Sequence, residues 1–253
     1  MQLKENNGHA EEGGHWYKPT GDTAYRIIGA NGKERNTTLA DARKIGLYPS
    51  TTTIIGLLQK AGLDTWRQQK IVEATIAHHR LEGEPDKDYQ ARILDLAKTE
   101  SREASSRGTM IHAIIQGYFE NVYMPEKPLY VDAVVMELNE VFGEQEWLSE
   151  HSFAHQELRY GGKVDLHSKA GIVVDIKTTE KDVTQIKPFH EQIMQLASYR
   201  EGLKLGPMAR CANIYVNALT NQVKVIEHDL NDLQDAFECF KCLLRFFQIK
   251  NRL

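Results

Sequence analysis

Two aspartates and a lysine are the residues of this chain whose types and spacing best suit chemistry. In the segment Gly171–Thr178 (GIVVDIKT) strand alternation puts Val173, Asp175 and Lys177 on one face, and Ile172, Val174 and Ile176 on the other. In the preceding segment, Lys163, Asp165 and His167 share a face, and Val164 and Leu166 share its opposite. A three-residue loop, Lys169-Ala170-Gly171, ends on a glycine where a left-handed conformation is wanted. That loop pairs Ser168 with Ile172 and sets Asp165 opposite Asp175, with Cβ atoms about 4.5–5.5 Å apart. A two-residue loop would slip the pairing. Two carboxylates at that spacing repel unless a cation lies between them, and their hard oxygen donors suit Mg²⁺ or Mn²⁺. The bland alternative is a surface ion pair of Asp175 with Lys177 on an edge strand.

The elements that must position these residues follow from the pattern. Residues 16–40 mix aromatics with Gly, Asn and Thr and read as short strands with a turn near Gly29–Gly32. Pro49-Ser50 opens a helix that Ser50 or Thr51 can cap, with Gly62 as its end. Residues 64–81 read as a helix with Trp66, Ile71, Val72 and Ile76 inward. Residues 86–120 form a long helical stretch with an interruption expected near Gly108, and residues 130–149 a further helix. Strands then cover 152–177, with Gly161-Gly162 and Ser168–Gly171 as turns. A helix over 188–203, a hairpin over 211–228 turning at Thr220-Asn221, and an amphipathic helix over 230–249 complete the order. That order is an α/β fold, a central mixed sheet flanked by helices.

Composition sets outer bounds. The 253 residues are 41% hydrophobic and 26% charged, ordinary for a globular chain, with a net charge of −4. Binding nucleic acid by bulk positive charge is excluded, but a carboxylate site that holds cations is not. No apolar run approaches the roughly 20 residues of a membrane span. The first residues, MQLKENNGHAEEGGHW, lack the apolar core of a secretory signal and read as a flexible leader. Three cysteines, Cys211, Cys239 and Cys242, are too few for a disulfide framework, so a reducing cytoplasm is expected.

The stretch from Glu157 through Lys177 resembles the core of the PD-(D/E)XK nucleases, and more narrowly their RecB-like exonuclease branch, which includes phage-type and mitochondrial genome maintenance exonucleases. Arg107-Gly108-Thr109-Met110-Ile111-His112 is similar to that branch's "RG-x-x-x-H" helix. Gln195-Leu196-Ala197-Ser198-Tyr199 is similar to its "Q-x-x-x-Y" helix, and Pro49-Ser50-Thr51-Thr52 to the opening of phage-type members. Val164-Asp165 replaces the usual Pro-Asp. The resemblance spans about residues 48–230. It implies a restriction-endonuclease-like core with an N-terminal helical extension. Residues 1–47 would be leader and short strands, 48–130 a helical region carrying the "RG-x-x-x-H" helix, and 131–253 the nuclease core, integrated with 48–130 into one catalytic domain.

The resemblance also implies roles. Asp165, Asp175 and Lys177 would be catalytic. His112, Asp165, Asp175 and the Ile176 carbonyl would hold Mg²⁺ or Mn²⁺, although His112 alone could be a packed core histidine. Glu157, read on the adjacent strand, could assist a second metal, lie just behind the ligands, or sit on the surface. Gln195 and Tyr199, at i and i+4 with Gln192 on the same side, would face the lysine or the DNA backbone. Arg107 and Lys163 are candidate phosphate contacts, and Lys187 and Arg200 weaker ones. Tyr160 could stack on a base or belong to the core. No iron–sulfur cluster is expected, because four thiolates cannot come from three cysteines. Cys239 and Cys242 read as buried thiols. His78-His79 and the pair His151 and His155 read as surface histidines. The implied activity is a metal-dependent DNA exonuclease acting on single strands or free ends in recombination, repair or degradation, in the company of recombination or replication proteins. A non-catalytic or partner-dependent accessory protein is the competing class. Oligomeric state is not legible.

Overall fold

The architecture is built on hairpins whose register the turns dictate. It comes from a computed structural model that describes residues 14–59 and 61–253, with backbone alone for Ala61 and Glu100. The leader expected before His15 lies almost wholly outside the described residues. The chain divides into two units, Met1–Leu57 with Ile115–Leu253, and Leu58–Ile114.

In the first unit, β1 (Trp16–Tyr17) pairs with β4 (Tyr48–Pro49), and β2 (Arg26–Ile28) with β3 (Glu34–Asn36). Helix α1 (Leu39–Ile45) is closed by a capping box on Thr38 and by Gly46 in the left-handed conformation. Helix α2 (Thr51–Ile55) starts at Ser50, whose side chain accepts from Thr53 N. It ends at Gly56 rather than at the expected Gly62.

The second unit holds α3 (Ala61–Ala77) and α4 (Asp86–Phe119) up to Ile114. Arg92 grips Glu84 through two hydrogen bonds of 2.8 Å in the connection between them. Two expectations fail here. Ile71, Val72 and Ile76 are exposed rather than inward. Helix α4 runs through Gly108 without interruption, since one glycine costs a helix only about 1 kcal/mol.

The first unit continues with α5 (Leu129–Phe142), whose Val131, Val134 and Leu138 are fully buried. It stops at Gly143, seven residues short of the expected end, where φ is +69°. Strand β5 (Trp147–His155) follows, then β6 (Tyr160–Ser168) and β7 (Ile172–Thr178). The turn between β5 and β6 lies at 156–159, so Gly161 and Gly162 are strand residues, contrary to expectation. They are glycines because space is short. A Cβ at Gly161 would stand 2.5 Å from the Tyr17 ring, and one at Gly162 2.7 Å from Phe153.

A short 3₁₀ turn at Val183–Gln185 and α6 (His190–Gly202) carry the chain to β8 (Arg210–Asn217). Strand β9 (Gln222–Glu227) and α7 (Leu230–Asn251) complete it. The five-stranded sheet has the order β5-β6-β7-β8-β9 and is antiparallel except for β7–β8. It is a mixed sheet flanked by helices, as the element order predicts. Helix α6 packs on β5–β8, α7 on α6, and α5 on β8 and β9. The buried stripe of α7 is Leu233, Ala236, Phe240, Leu244 and Phe247. Cys239 and Cys242 fall off that stripe and are exposed, which corrects their reading as buried thiols; Cys211 alone is buried. Among the described residues no helix is long and apolar enough to cross a membrane.

Candidate functional site

The β6–β7 hairpin builds the centre of the site. Gly171, at φ +82°, closes the three-residue loop and pairs Ser168 with Ile172. The ladder continues to Leu166–Val174 and stops there. The next step in that register is Asp165 against Asp175. The Asp165 carboxylate reaches across instead, its Oδ2 accepting from Ile176 N at 2.7 Å.

Asp175 is 2% exposed, and its carboxylate is held from three sides. Its Oδ1 accepts from Gln195 Nε2 at 2.8 Å. Its Oδ2 accepts from Asn213 Nδ2 at 2.9 Å and lies 2.7 Å from Lys177 Nζ. Gln195 also accepts from Lys177 Nζ through Oε1 at 3.1 Å and donates to the Tyr199 hydroxyl at 2.9 Å. Every polar atom of that amide is therefore used, and its orientation is unique. Burial pulls the Lys177 ammonium toward neutrality, but the charge and hydrogen bond of Asp175, with Asp165 behind, overcome this and leave its pKa raised. Burial, reinforced by the charges of Asp175 and Asp165, holds the Tyr199 phenol well above its ordinary pKa.

Helix α6 delivers Gln195 and Tyr199 because it lies close on the sheet. The Phe153 ring fits against Gly162 of β6 and Gly202 of α6, and a Cβ at Gly202 would overlap that ring. Ser198 Oγ donates to Thr51 Oγ1 at 3.1 Å, which ties α6 to α2.

Three residues of this environment escape sequence reading. Asn213 pairs with Asp175 in the parallel β7–β8 ladder, and its Oδ1 is 2.8 Å from His228 Nε2. Asn213 was detectable as a polar residue inside an apolar strand, though its partner was not. Glu150 lies between the pairs Ser149–Leu166 and His151–Val164, level with Asp165, and adopts φ +52°. It forms an ion pair with Lys163.

The remaining sequence candidates distribute as follows. Tyr160 is fully buried and donates to Ser198 O at 2.7 Å, so it is a core residue and presents no ring for a base. Glu157 is exposed in the β5–β6 turn, at the opposite end of β6 from the loop that sets the aspartates; it is not on the adjacent strand beside them. Gln192 accepts from Phe189 N and from the Tyr215 hydroxyl, which makes it the cap of α6. Arg200 is buried, donating to Pro207 O and paired with Glu201, which leaves it no phosphate role. Lys187 is exposed. Lys163 is half-buried, and burial lowers its pKa against the pull of Asp165 and Glu120. His151 and His155 both lie on β5, where i, i+4 spacing has no ligand meaning. Arg107 and His112 belong to the second unit, Arg107 exposed and His112 half-buried on α4.

The donor set fits a hard divalent ion in part. Asp165 and Asp175 supply two carboxylates, and Mg²⁺ is commonly held by one or two carboxylates with water completing its shell. Among the described residues no group of three or more His, Cys, Asp or Glu side chains is gathered for a metal.

No family model matches this sequence, and no curated protein matches it. Among solved structures, a candidate exonuclease from Eubacterium rectale is similar at 14% identity and a TM-score of 0.41, over 57% of this chain and 67% of its own. The protein SSO0001 is similar at 14% identity and a TM-score of 0.31, over 72% of this chain and 86% of its own. At these scores the functional reading rests on the site's own residues.

Proposed function

We propose that this protein is a metal-dependent nuclease that hydrolyses DNA phosphodiester bonds, acting as an exonuclease on single strands or free ends. The observation that carries the reading is that the β6–β7 hairpin brings together the Asp165 carboxylate, bonded to Ile176 N one residue beyond Asp175, and the Asp175 carboxylate with the Lys177 ammonium 2.7 Å from it. The PD-(D/E)XK resemblance of the same residues supports it.

Asp165 and Asp175, with the Ile176 carbonyl and His112 by resemblance, are the residues that would hold Mg²⁺ or Mn²⁺. Such an ion, when bound, supplies Lewis-acid polarisation of the phosphodiester and a more acidic attacking water. The Ile176 amide and the Gln195–Asn213 pair fix the directions of the two carboxylates before substrate arrives. Lys177 remains protonated in this setting, so its work is to orient the attacking water and to neutralise charge on the phosphorus centre. Gln195 keeps the ammonium aimed by accepting a hydrogen bond from it. Lys163 and Arg107 are the proposed phosphate contacts.

The test is digestion of 5′- and 3′-labelled single- and double-stranded DNA in Mg²⁺ or Mn²⁺. Stepwise products that stop with chelator and resume when metal is restored are expected. Cleavage that persists in chelator would contradict the metal dependence, and no cleavage of any substrate would contradict the nuclease reading.

A further inference from the structure

We propose that His228 is a positioning residue that acts through Asn213 to fix the Asp175 carboxylate; the inference rests on the nuclease reading above. The two contacts are short and shielded. Asn213 is fully buried and His228 is 8% exposed. Asn213 Nδ2 donates to Asp175 Oδ2 at 2.9 Å, and Asn213 Oδ1 lies 2.8 Å from His228 Nε2.

Hydrogen-bond polarity gives the chain one direction. An ionised carboxylate only accepts, so the amide must turn its NH₂ toward Asp175. Its carbonyl oxygen then faces His228, which must carry a proton on Nε2. A flipped Asn213 would set its oxygen against Asp175 Oδ2 and its NH₂ against the His228 donor. The Asp175 contact would be repulsive in either His228 tautomer, so the carboxylate sets the amide's direction and His228, donating from Nε2, braces it from behind. The backbone that carries the imidazole is fixed, because His228 N donates to Cys211 O at 2.9 Å and Asp229 begins α7 as its cap.

The consequence falls on Asp175. Its two oxygens offer about four lone-pair sites. Asn213 and Lys177 engage Oδ2, and Gln195 engages Oδ1. The direction left open lies on Oδ1, so with these contacts in place Asp175 presents one oxygen to a cation. Releasing Asn213 would let the carboxylate rotate and blur that single direction. Groups that orient a metal ligand from behind commonly contribute about 10–100-fold to metal affinity or activity.

The experiment compares His228→Leu with His228→Gln, whose amide can donate to Asn213 from nearly the same place. Mn²⁺ affinity is measured by calorimetry with the metal alone, and kcat and KM on labelled DNA, with unfolding midpoints alongside. His228→Leu should lower Mn²⁺ affinity and kcat by about 10-fold or more, with KM for DNA within about twofold. His228→Gln should recover most of both losses. Should His228→Leu fail to fold, His228→Asn, whose amide is too short to reach Asn213, takes its place. Equal losses in the reaching and non-reaching variants would overturn the proposal, as would wild-type affinity and kcat in a folded His228→Leu. Wild-type protein that binds Mn²⁺ without cleaving DNA would contradict the nuclease reading and leave the relay to the Mn²⁺ arm. Wild-type protein that does neither would overturn both.

Discussion

Lys177 shows what the surroundings of a single side chain decide. Its side chain is 27% exposed and sits between Asp175 and Gln195. Desolvation alone would lower its pKa, and the two aspartates outweigh that. Under the proposed function, a lysine kept charged there would serve as an electrostatic partner of the reacting phosphate. Lys177→Met should therefore lower kcat by about 10²–10³-fold, the scale of losing one preorganised transition-state donor. Mn²⁺ affinity should hold or rise, because the ammonium no longer competes for Asp175. Calorimetry in which affinity collapses along with kcat would refute this role. The Ser168–Ile172 pairing was legible because one loop length fixes a hairpin register, but the ladder ends at Leu166–Val174, one step before the expected pairing of Asp165 with Asp175. Asn213 and His228 were not legible, because β7 and β8 are joined by a crossover through α6, and no short-range signal sets a parallel register. For Tyr160 the sequence left a base-stacking and a core role open, and the core role is the one found, because the neighbouring glycines lie in a strand and admit Tyr17 and Phe153.

Helix α6 is the element on which the site depends, and Gly202 is where its position is set. The Phe153 ring occupies the space a side chain there would fill. Gly202→Ala should destabilise by about 1–3 kcal/mol through overpacking. It should also lower activity as Gln195 and Tyr199 move with the helix. Urea unfolding checks the first and kcat the second; an unchanged midpoint would show that α6 can shift freely. Elements were easier to read than their ends. The helices from α2 onward and the β8–β9 hairpin followed from periodicity and turn residues, whereas the short α1 was missed. The misplaced interruption at Gly108 overvalued one residue within a helix of 34. Cys239 and Cys242 read as buried because apolar residues surround them in sequence, but successive helical positions differ by about 100° and the buried stripe passes through Phe240 and Leu244 instead.

At the scale of the molecule, four histidines are held below their ordinary pKa chiefly by burial: His15, His155, His167 and His228. Each is neutral in the folded chain at a pH where the unfolded chain begins to take up protons, near 6.5. The unfolded state then binds more protons, so stability falls as pH drops from about 7 toward the folded pKa values. Glu227, drawn down by Arg210, and Glu84, drawn to about 2 by Arg92, extend the loss to lower pH. Thermal unfolding midpoints should decline steadily from pH 7 to pH 4, and a flat profile between pH 7 and pH 5 would contradict the buried-histidine account. Net charge foretold none of this. A value of −4 sums the whole chain, while the proposed chemistry depends on three charges brought together by one hairpin.

The most direct test of the account is the DNA cleavage rate of variants that remove the two negative charges, Asp165→Asn and Asp175→Asn, beside wild type in Mn²⁺, with unfolding midpoints measured on the same preparations. Asparagine keeps the shape and removes the charge. Loss of several kcal/mol of transition-state stabilisation corresponds to at least about 10³-fold in rate. Each variant should lose that much while remaining folded. A folded variant of either kind that cleaves at the wild-type rate would contradict the assignment of the site.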